Sequence, residues 1–501
     1  MAIFDLSEPD PNEPVSEPAE SGPVFPFKTA LAILVLVGAL VGWRWGVDHG
    51  KGLDSNLLAE TFQLRWPRPP APVVPTTPAI QHASNEKLPQ ISAVFVDDTN
   101  SLDPFFAALW KLEQGKESGV VTILHYGDSP TTADLITGDV RAQLQSRFGD
   151  AGRGYTLIAK PWAWYGHRGV EISDHGWKMH TGVGLMREGI YGLGGATFEG
   201  QPGVWSKFIL TESQQTVVDV EYLAKPGGGT FAVEADDQRI LEQTTDSETQ
   251  TTGSVQVELP SGTKVVSIRP TSGSVTLFGA DFRRGGTGLL YDSLGLNGAT
   301  TSVLARVLQP VLWKQELDRA APALVVVNYG SNESSFGTFV HKQYGAELRL
   351  AIQRIRVAAP GVPILIMSPM DRGERSGMND IETMSTIPEI VAIQRQVAAE
   401  THCAFFDTYD AMGGGGTMAR WYTASPRLVT ADFLHPTPQG ATIVAGLFVE
   451  QLGLGYNRWK MQHGIGLPAV NPALTLKADA SKPKPQSRHA TKQAGKKARS
   501  Q

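Results

Sequence analysis

Apolar runs of strand length alternate with helical patterns over most of the chain. Residues 120–125 form a short run rich in apolar side chains, which is typical of a buried strand, and a helical pattern follows over about 132–148. Three further strand-and-helix pairs are predicted, at 324–328 with 342–358, 363–367 with 388–400, and 404–406 with 438–452. Strands and helices that alternate in this way predict a parallel sheet covered on both faces.

The period changes between about residues 205 and 283. Short runs there alternate apolar and polar positions, and glycine- or proline-rich turns such as 227–229 and 260–262 separate them. The predicted strands are 207–211, 217–222, 230–234, 255–259, 264–268 and 275–282. Strands at this spacing predict a β-sandwich of about 80 residues, inserted into the α/β domain.

An apolar run near the N-terminus predicts a membrane anchor. Residues 29–43 carry no charge and span roughly 22 Å as a helix, short of the ~30 Å hydrocarbon core. The flanking Lys28 can snorkel, and the tryptophans at the other end suit a membrane interface. We therefore predict a transmembrane helix over residues 28–47, with a signal peptide or a buried helix as the alternatives. Lys28 and Arg44 nearly balance, so charge does not set the orientation.

Charge is concentrated at the two ends of the chain. Residues 1–27 hold six acidic and no basic residues, whereas residues 477–501 hold eight basic residues and one acidic residue. Neither end can bury apolar surface, so both are predicted to be disordered tails. The basic tail is a candidate for loose attraction to an anionic polymer or membrane surface. The net charge of −6 provides no sign of nucleic-acid binding.

The amino-acid composition excludes several classes of protein and of site. With 41% apolar and 19% charged residues, the chain is neither wholly disordered nor a polytopic membrane protein. Its one cysteine, Cys403, allows no disulfide within the chain and no cysteine-based zinc site. We expect Cys403 to be a small buried apolar residue.

Polar residues that can perform nucleophilic chemistry follow predicted strands. Ser129 lies in a Gly-Asp-Ser turn after the first strand, and Asn332 follows the second. Asp432 and His435 precede the last helix. Ligands of open α/β sheets bind at the carboxyl ends of the strands, so these side chains are expected to meet there. A serine hydroxyl needs a base such as His435, a carboxylate such as Asp432 can orient that base, and an oxyanion needs preorganised donors.

Each of these residues also has a simpler interpretation. Ser129 can be only a helix cap, His435 only structural, and Asn332 only a loop cap. Gly298 precedes a predicted helix and can offer a backbone donor for the oxyanion, but Gly295 is a close competitor.

The four blocks resemble the SGNH (GDSL-type) hydrolase superfamily, which is named for Ser, Gly, Asn and His. They are Gly127-Asp128-Ser129, Gly298, Gly330-Ser331-Asn332 and Asp432-x-x-His435, and the resemblance covers roughly residues 118–455. It implies that Ser129 is the nucleophile, His435 the base and Asp432 its orienting acid. It also implies oxyanion donors from Ser129, Gly298 and Asn332.

A narrower resemblance is to the peptidoglycan O-acetylesterase and O-acetyltransferase branch, in which a carbohydrate-module-like β domain interrupts the hydrolase domain. The stretches 149–154, 292–299 and 411–414 are similar to that branch. Two departures concern the substrate more than the triad: Pro130 replaces the usual Leu or His, and Glu333 stands where Asp is common.

The expected fold class is therefore α/β, with a flavodoxin-like parallel-sheet SGNH hydrolase domain, an inserted β-sandwich and an N-terminal transmembrane helix. The predicted boundaries are 1–27 for the acidic tail, 28–47 for the anchor, 48–87 for a helical stretch and Pro-rich linker, 88–200 and 286–460 for the hydrolase domain, 201–285 for the sandwich and 461–501 for the basic tail.

A stretch rich in Trp, Tyr and Gly follows the Ser block. Trp162, Trp164 and Trp177 are candidate platforms on which the apolar faces of sugars stack, although such side chains more often line a core. Three histidines between residues 167 and 180 fit no standard ligand spacing, so no metal site is predicted.

These observations predict an anchored, extracytoplasmic serine esterase that removes O-acetyl groups from a polysaccharide, in particular cell-wall peptidoglycan, without a cofactor. One alternative is an O-acetyltransferase that uses the same acetyl-enzyme and a sugar hydroxyl as acceptor. A second is a catalytically idle glycan-binding protein.

Overall fold

The computed structural model describes residues 94–115, 119–184, 189–212, 214–377 and 380–466. The predicted acidic tail, membrane anchor and Pro-rich linker lie outside these ranges, as does the basic stretch from residue 477. Within the described ranges, no helix has both the length and the apolar character that a membrane span requires.

The described strands are two to nine residues long. They are β1 (Phe95–Val96), β2 (Val120–Gly127), β3 (Gly152–Leu157), β4 (Val170–His175), β5 (Lys178–Thr181), β6 (Ala196–Gly200), β7 (Trp205–Leu210), β8 (Val217–Ala224), β9 (Thr230–Ala235), β10 (Gln238–Thr244), β11 (Thr251–Glu258), β12 (Val265–Ser272), β13 (Val275–Arg283), β14 (Gly288–Gly295), β15 (Leu324–Asn328), β16 (Ile364–Met367), β17 (Gly373–Arg375), β18 (Ile381–Thr383) and β19 (Ala404–Phe406).

The α-helices range from short turns to one long C-terminal helix. They are α1 (Asp103–Gln114), α2 (Ser129–Thr132), α3 (Leu135–Phe148), α4 (Pro310–Ala320), α5 (Gly337–Phe339), α6 (Gly345–Ala358), α7 (Thr386–Glu400), α8 (Thr408–Ala411), α9 (Thr417–Thr423) and α10 (Pro438–Gln462). Single turns of π-helix at Val303–Val307 and Val340–Tyr344 and of 3₁₀-helix at Glu333–Ser335 complete the set.

The central sheet has the strand order β1-β19-β16-β15-β2-β14. Its last five strands are parallel, as the alternating pattern predicted, and their spatial order is the flavodoxin-like order of the expected fold class. The short edge strand β1 pairs antiparallel with β19, so the sheet is mixed rather than purely parallel. Strand β1 was not predicted, because only two residues take part in it.

Helices cover both faces of this sheet, as its strand composition requires. Neighbouring side chains on β2 point in opposite directions: Ile123 packs into the core formed with α1, α3 and α10, and Leu124 into the core formed with α4, α6 and α7. The strands are therefore continuous apolar runs, because neither face reaches water.

The insertion consists of two antiparallel sheets. One has the order β10-β9-β12-β7-β4, and the other has the order β11-β8-β13-β6-β5, with β3 also paired to β13. Phe208 of β7 meets Phe282 of β13 at 5.3 Å between ring centroids, and Tyr222 of β8 meets Phe231 of β9 at 5.6 Å. These aromatic contacts join the two sheets into a sandwich.

The predicted boundary of the sandwich at residue 201 is wrong, because strands β3 to β6 already belong to its sheets. The inserted strands run from Gly152 to Arg283. The early strands are short and lack a long apolar–polar alternation; all six residues of β3, for example, are buried. The alternation of apolar and polar positions therefore indicated only strands in the later part of the sandwich.

Candidate active site

Ser129 is the first residue of α2, directly after the carboxyl end of β2. All four residues of α2 are buried, and Ser129 is 7% exposed. The neighbouring strand β14 approaches this helix so closely that a Cβ at Gly295 would lie 2.6 Å from the carbonyl carbon of Thr131. A glycine is therefore required at position 295 for close packing. This packing role accounts for Gly295, which the sequence offered as an alternative to Gly298 for the oxyanion donor.

The structure brings Ser129, His435 and Asp432 into one hydrogen-bonded chain. The Nε2 atom of His435 lies 2.7 Å from Ser129 Oγ, across 306 residues of sequence. The Nδ1 atom of the same ring lies 2.6 Å from Asp432 Oδ2. A hydroxyl, an imidazole and a carboxylate in this order can activate the hydroxyl, since the carboxylate fixes which ring nitrogen carries the proton.

A tight turn folds the carboxylate of Asp432 back onto the imidazole. Its Oδ1 atom accepts hydrogen bonds from the Thr430 hydroxyl at 2.6 Å and from the backbone N–H groups of Leu434 and His435 at 3.0 and 3.1 Å. Phe433 closes the turn in the left-handed region, with φ 57°.

These hydrogen bonds decide the ionisation of Asp432. Partial burial acts to raise its pKa, but the bonds from Thr430, His435 and Leu434 outweigh that effect and lower the pKa to about 2. Asp432 is therefore a carboxylate at neutral pH, and the 50% exposure of its side chain to water also favours the charged form.

The Gly and Asn blocks are tied to each other. Asn332 donates from Nδ2 to the carbonyl oxygen of Ala299 at 2.8 Å, next to Gly298. Gly298 is exposed with φ 76°, and no described residue accepts its N–H. Glu333 strengthens the connection, because its carboxylate accepts from the N–H of Thr301 at 2.7 Å and from that of Gly330 at 3.1 Å. Glu333, which stands where Asp is common, thus holds the turn of the Asn block against the segment that follows Gly298.

Asp128 connects the Ser block to the Asn block. Its side chain is buried, and burial, together with the negative charge of Glu333, raises its pKa to about 7, although Ser331 donates hydrogen bonds to it. Hydrogen bonds link the Ser block to the His block, from Ser129 to His435, and the Asn block to the residue after Gly298, from Asn332 to Ala299.

The three tryptophan candidates have different surroundings. Trp177 is 6% exposed and lies in the apolar core that includes the sandwich, so its ring is not available to a sugar. That prediction was wrong, because residue type alone does not tell a core ring from a surface ring. Trp162 is half-buried against the same core. Trp164 is 57% exposed, in a loop whose Gly166 N–H bonds the carbonyl of Thr132 in α2.

The histidines between residues 167 and 180 that the sequence analysis singled out include two with partners outside the triad. His167 is buried 4.0 Å from Asp134, and the ring of His175 stacks on Trp205. Within the described residues, no group of three or more His, Cys, Asp or Glu side chains is arranged to hold a metal ion. Cys403 is buried, as expected.

Sequence reasoning missed two residues beside the triad. Thr430 holds Asp432, and its position two residues earlier is a local signal that a turn search could have found. Arg372 bonds the turn that carries Asn332, but about forty residues separate the partners, and no motif marks the pair.

Comparisons with known proteins agree with this architecture. Residues 246–443 match the GDSL-like lipase/acylhydrolase family model, a segment that holds the Gly, Asn and His blocks but begins after Ser129. No curated protein matches the sequence.

Solved structures provide a likeness of fold. The structure titled "Peptidoglycan O-acetylesterase in action, 5 min" has a TM-score of 0.62 and 20% identity, covering 72% of this chain and 99% of its own. A family two carbohydrate esterase from Cellvibrio japonicus scores only 0.24, at 12% identity over 61% of this chain and 98% of its own. One from Clostridium thermocellum also scores 0.24, at 12% identity over 53% and 99%.

The first of these structures aligns over almost its whole length, which supports the same arrangement of sheet and insertion. The segment that matches the family model contains three of the four blocks. The fourth, the Ser block, lies outside that segment, and the structure places Ser129 in contact with His435. Over the matched segment the chain thus resembles the GDSL-like lipase/acylhydrolase family, and its fold resembles that of a peptidoglycan O-acetylesterase.

Proposed function

We propose that this protein removes O-acetyl groups from a cell-wall polysaccharide, peptidoglycan, through an acetyl-Ser129 intermediate. The observation that carries the proposal is the chain of hydrogen bonds from Ser129 Oγ through His435 to Asp432, at 2.7 and 2.6 Å. It supports an ester hydrolase because the same arrangement of groups activates serine nucleophiles on unrelated folds.

In the first half of the proposed reaction, Ser129 Oγ attacks the acetyl carbonyl carbon and its proton passes to His435 Nε2. The oxyanion accepts hydrogen bonds from the backbone N–H groups of Ser129 and Gly298 and from the Asn332 amide. The intermediate then collapses, and the sugar oxygen leaves with the proton that His435 returns.

In the second half, a water molecule attacks the acetyl-enzyme and gives a proton to His435. Acetate leaves, and the proton returns to Ser129 Oγ. Asp432 stays ionised throughout and stabilises the imidazolium, which agrees with its low pKa.

The choice of peptidoglycan rests on two lines of support. The stretches 149–154, 292–299 and 411–414 are similar to the peptidoglycan O-acetylesterase branch, and the solved structure with that name has a similar fold. We also propose that the predicted helix over residues 28–47 anchors the protein with its catalytic domain outside the cytoplasm, where that polymer lies.

Acetate release from O-acetylated peptidoglycan tests the proposal. Wild type should release acetate, and Ser129→Ala should release none above background. Ser146→Ala is the matched control, because this serine is exposed and bonds only a carbonyl of its own helix. Equal release by wild type and Ser129→Ala would contradict the acetyl-serine route, and no release by wild type would contradict the substrate.

The same preparation separates the two alternatives. A burst of p-nitrophenol from p-nitrophenyl acetate, absent in Ser129→Ala, rules out an idle glycan-binding protein. If adding an unacetylated glycan yields acetylated glycan in place of free acetate, the protein is a transferase.

A further inference from the structure

Arg372 lies between the carboxyl end of β16 and β17, beside the candidate active site. Its Nη1 atom donates to the carbonyl oxygen of Ser331 at 2.7 Å. It also donates to the hydroxyls of Ser334 and Ser335, both at 2.9 Å. Three contacts to one nitrogen fix the guanidinium against the turn that carries Asn332.

A second contact places the same segment against the Asp432–His435 turn. The N–H of Gly373 donates to the carbonyl oxygen of Phe433 at 2.9 Å. The negative charge of Asp432 also acts on Arg372, as do those of Glu374 and Asp128. Arg372 therefore stands between the Asn block and the His block.

The guanidinium has no close counter-ion in the described part of the chain. No described carboxylate lies within 4.0 Å of it, and no described atom accepts from Nε or Nη2. Arg141 and Arg319 differ in this respect, since Arg141 pairs with Asp134 and Arg319 with Glu316. Arg354 also has no carboxylate partner among the described residues, but both of its Nη atoms donate to backbone carbonyl oxygens. A half-buried cation without a carboxylate partner is costly unless a ligand supplies one.

We propose that Arg372 is a binding subsite for a carboxylate carried by the glycan next to the acetylated sugar hydroxyl. This inference rests on the proposed function, because it assumes a glycan at Ser129. The free edge formed by Nε and Nη2 is a planar pair of donors, the geometry that receives a carboxylate with two parallel hydrogen bonds. In peptidoglycan, the lactyl group of N-acetylmuramic acid supplies such a carboxylate where no peptide is attached, and the peptide supplies one where its amide bond has consumed the lactyl carboxyl.

Binding to the Ser129→Ala protein tests the subsite without any turnover. The probes are the N-acetylglucosaminyl–N-acetylmuramic acid disaccharide, the same disaccharide bearing its stem peptide, and N,N′-diacetylchitobiose (called chitobiose below), which is neutral and lacks the lactyl carboxylate. Calorimetry should give the first or second probe at least a roughly tenfold advantage over chitobiose. The better of the two identifies which carboxylate binds.

Substitutions at Arg372 separate recognition from support of the turn. In the Ser129→Ala background, Arg372→Gln should reduce the preference for the anionic probe to about one, and Arg372→Lys should keep part of it. Arg375→Gln is the matched control, because Arg375 is exposed and its guanidinium lies over the Phe433 ring at 5.1 Å. It should keep most of the preference.

Four results would overturn the subsite: no preference in the Ser129→Ala parent, no detectable binding of either anionic probe, equal weakening of all three probes by Arg372→Gln, or equal losses in the Arg372 and Arg375 variants. Because acetate release is measured separately on wild type, an active esterase without the preference would refute only the subsite. A preference without acetate release would refute only the esterase.

Discussion

The two halves of the candidate active site are held in different ways. Ser129 is buried in a short helix between two strands, and its neighbours are fixed by packing. Asp432 and His435 belong to a turn whose side chains are 50% and 37% exposed and whose shape comes from its own hydrogen bonds. The nucleophile side therefore depends on the whole sheet, and the acid–base side depends on a few local contacts. Substitutions on the nucleophile side should affect stability, whereas those on the acid–base side should affect mainly the chemistry.

The largest effect is expected for His435→Ala. Loss of the base should lower kcat/KM for p-nitrophenyl acetate by at least about 10³-fold, because the Ser129 hydroxyl is then not activated. The His435 side chain is 37% exposed and is not part of an apolar core, so the free energy of unfolding should change by less than about 1 kcal/mol. Steady-state kinetics and denaturant unfolding measure the two quantities. A large loss of stability would show that the turn is part of the core framework and would break the comparison.

Gly295→Ala tests the other half. The added methyl would overlap the backbone of Thr131, so α2 must shift, and the variant should lose about 1–3 kcal/mol of stability as well as activity. Gly446→Ala is the control, since a Cβ there meets no atom within 4 Å. Denaturant unfolding of both variants checks this expectation. Equal stability of the two variants would mean that the strand does not position the nucleophile.

Asp128→Asn should change how stability depends on pH. The pKa of Asp128 is about 7 in the folded protein and about 4 when unfolded, so the folded state binds more protons between these values. Wild-type stability attributable to this carboxyl is therefore present below pH 4 and is lost as the pH rises to about 7. The variant lacks this titration, so its stability relative to wild type should rise across that window, by roughly 2–4 kcal/mol. Urea unfolding at several pH values measures the difference, and a constant difference would exclude a raised pKa.

The smallest effect is expected for Thr430→Val. It removes one of the hydrogen bonds on Asp432 and leaves the backbone N–H bonds in place, so kcat/KM should fall only about threefold to tenfold. Thr423→Val is the control, because the Thr423 hydroxyl bonds only carbonyls of its own helix. A loss as large as that of His435→Ala would show that the turn collapses without the hydroxyl.

Regular elements with strong periodicity were predictable. The apolar runs of β15 and β19 and the six later sandwich strands follow from pattern alone, because a strand buried on both faces must be apolar and a half-buried strand must alternate. The sandwich strands β10 and β3 to β6 were not predicted, and β14 was recognised only as a motif. Strands β3 to β6 were too short or too polar to detect.

The site shows the same division. The three-residue spacing of Asp432 and His435 is local, so the carboxylate–imidazole contact could be foreseen from sequence. Arg372 and Glu333 act through partners far away in the chain or in another loop, and no spacing rule reports such contacts.

The chemical groups, their order in the chain and the class of fold could be predicted from residue types and from periods of 2 and 3.6 residues. The contact between Ser129 and His435, the burial of Trp177 and the exposure of Trp164 became known from the folded chain, as did the position of Arg372 beside the triad without a carboxylate partner among the described residues. Burial and the distance between remote residues result from packing of the whole domain, and no local stretch of sequence encodes them.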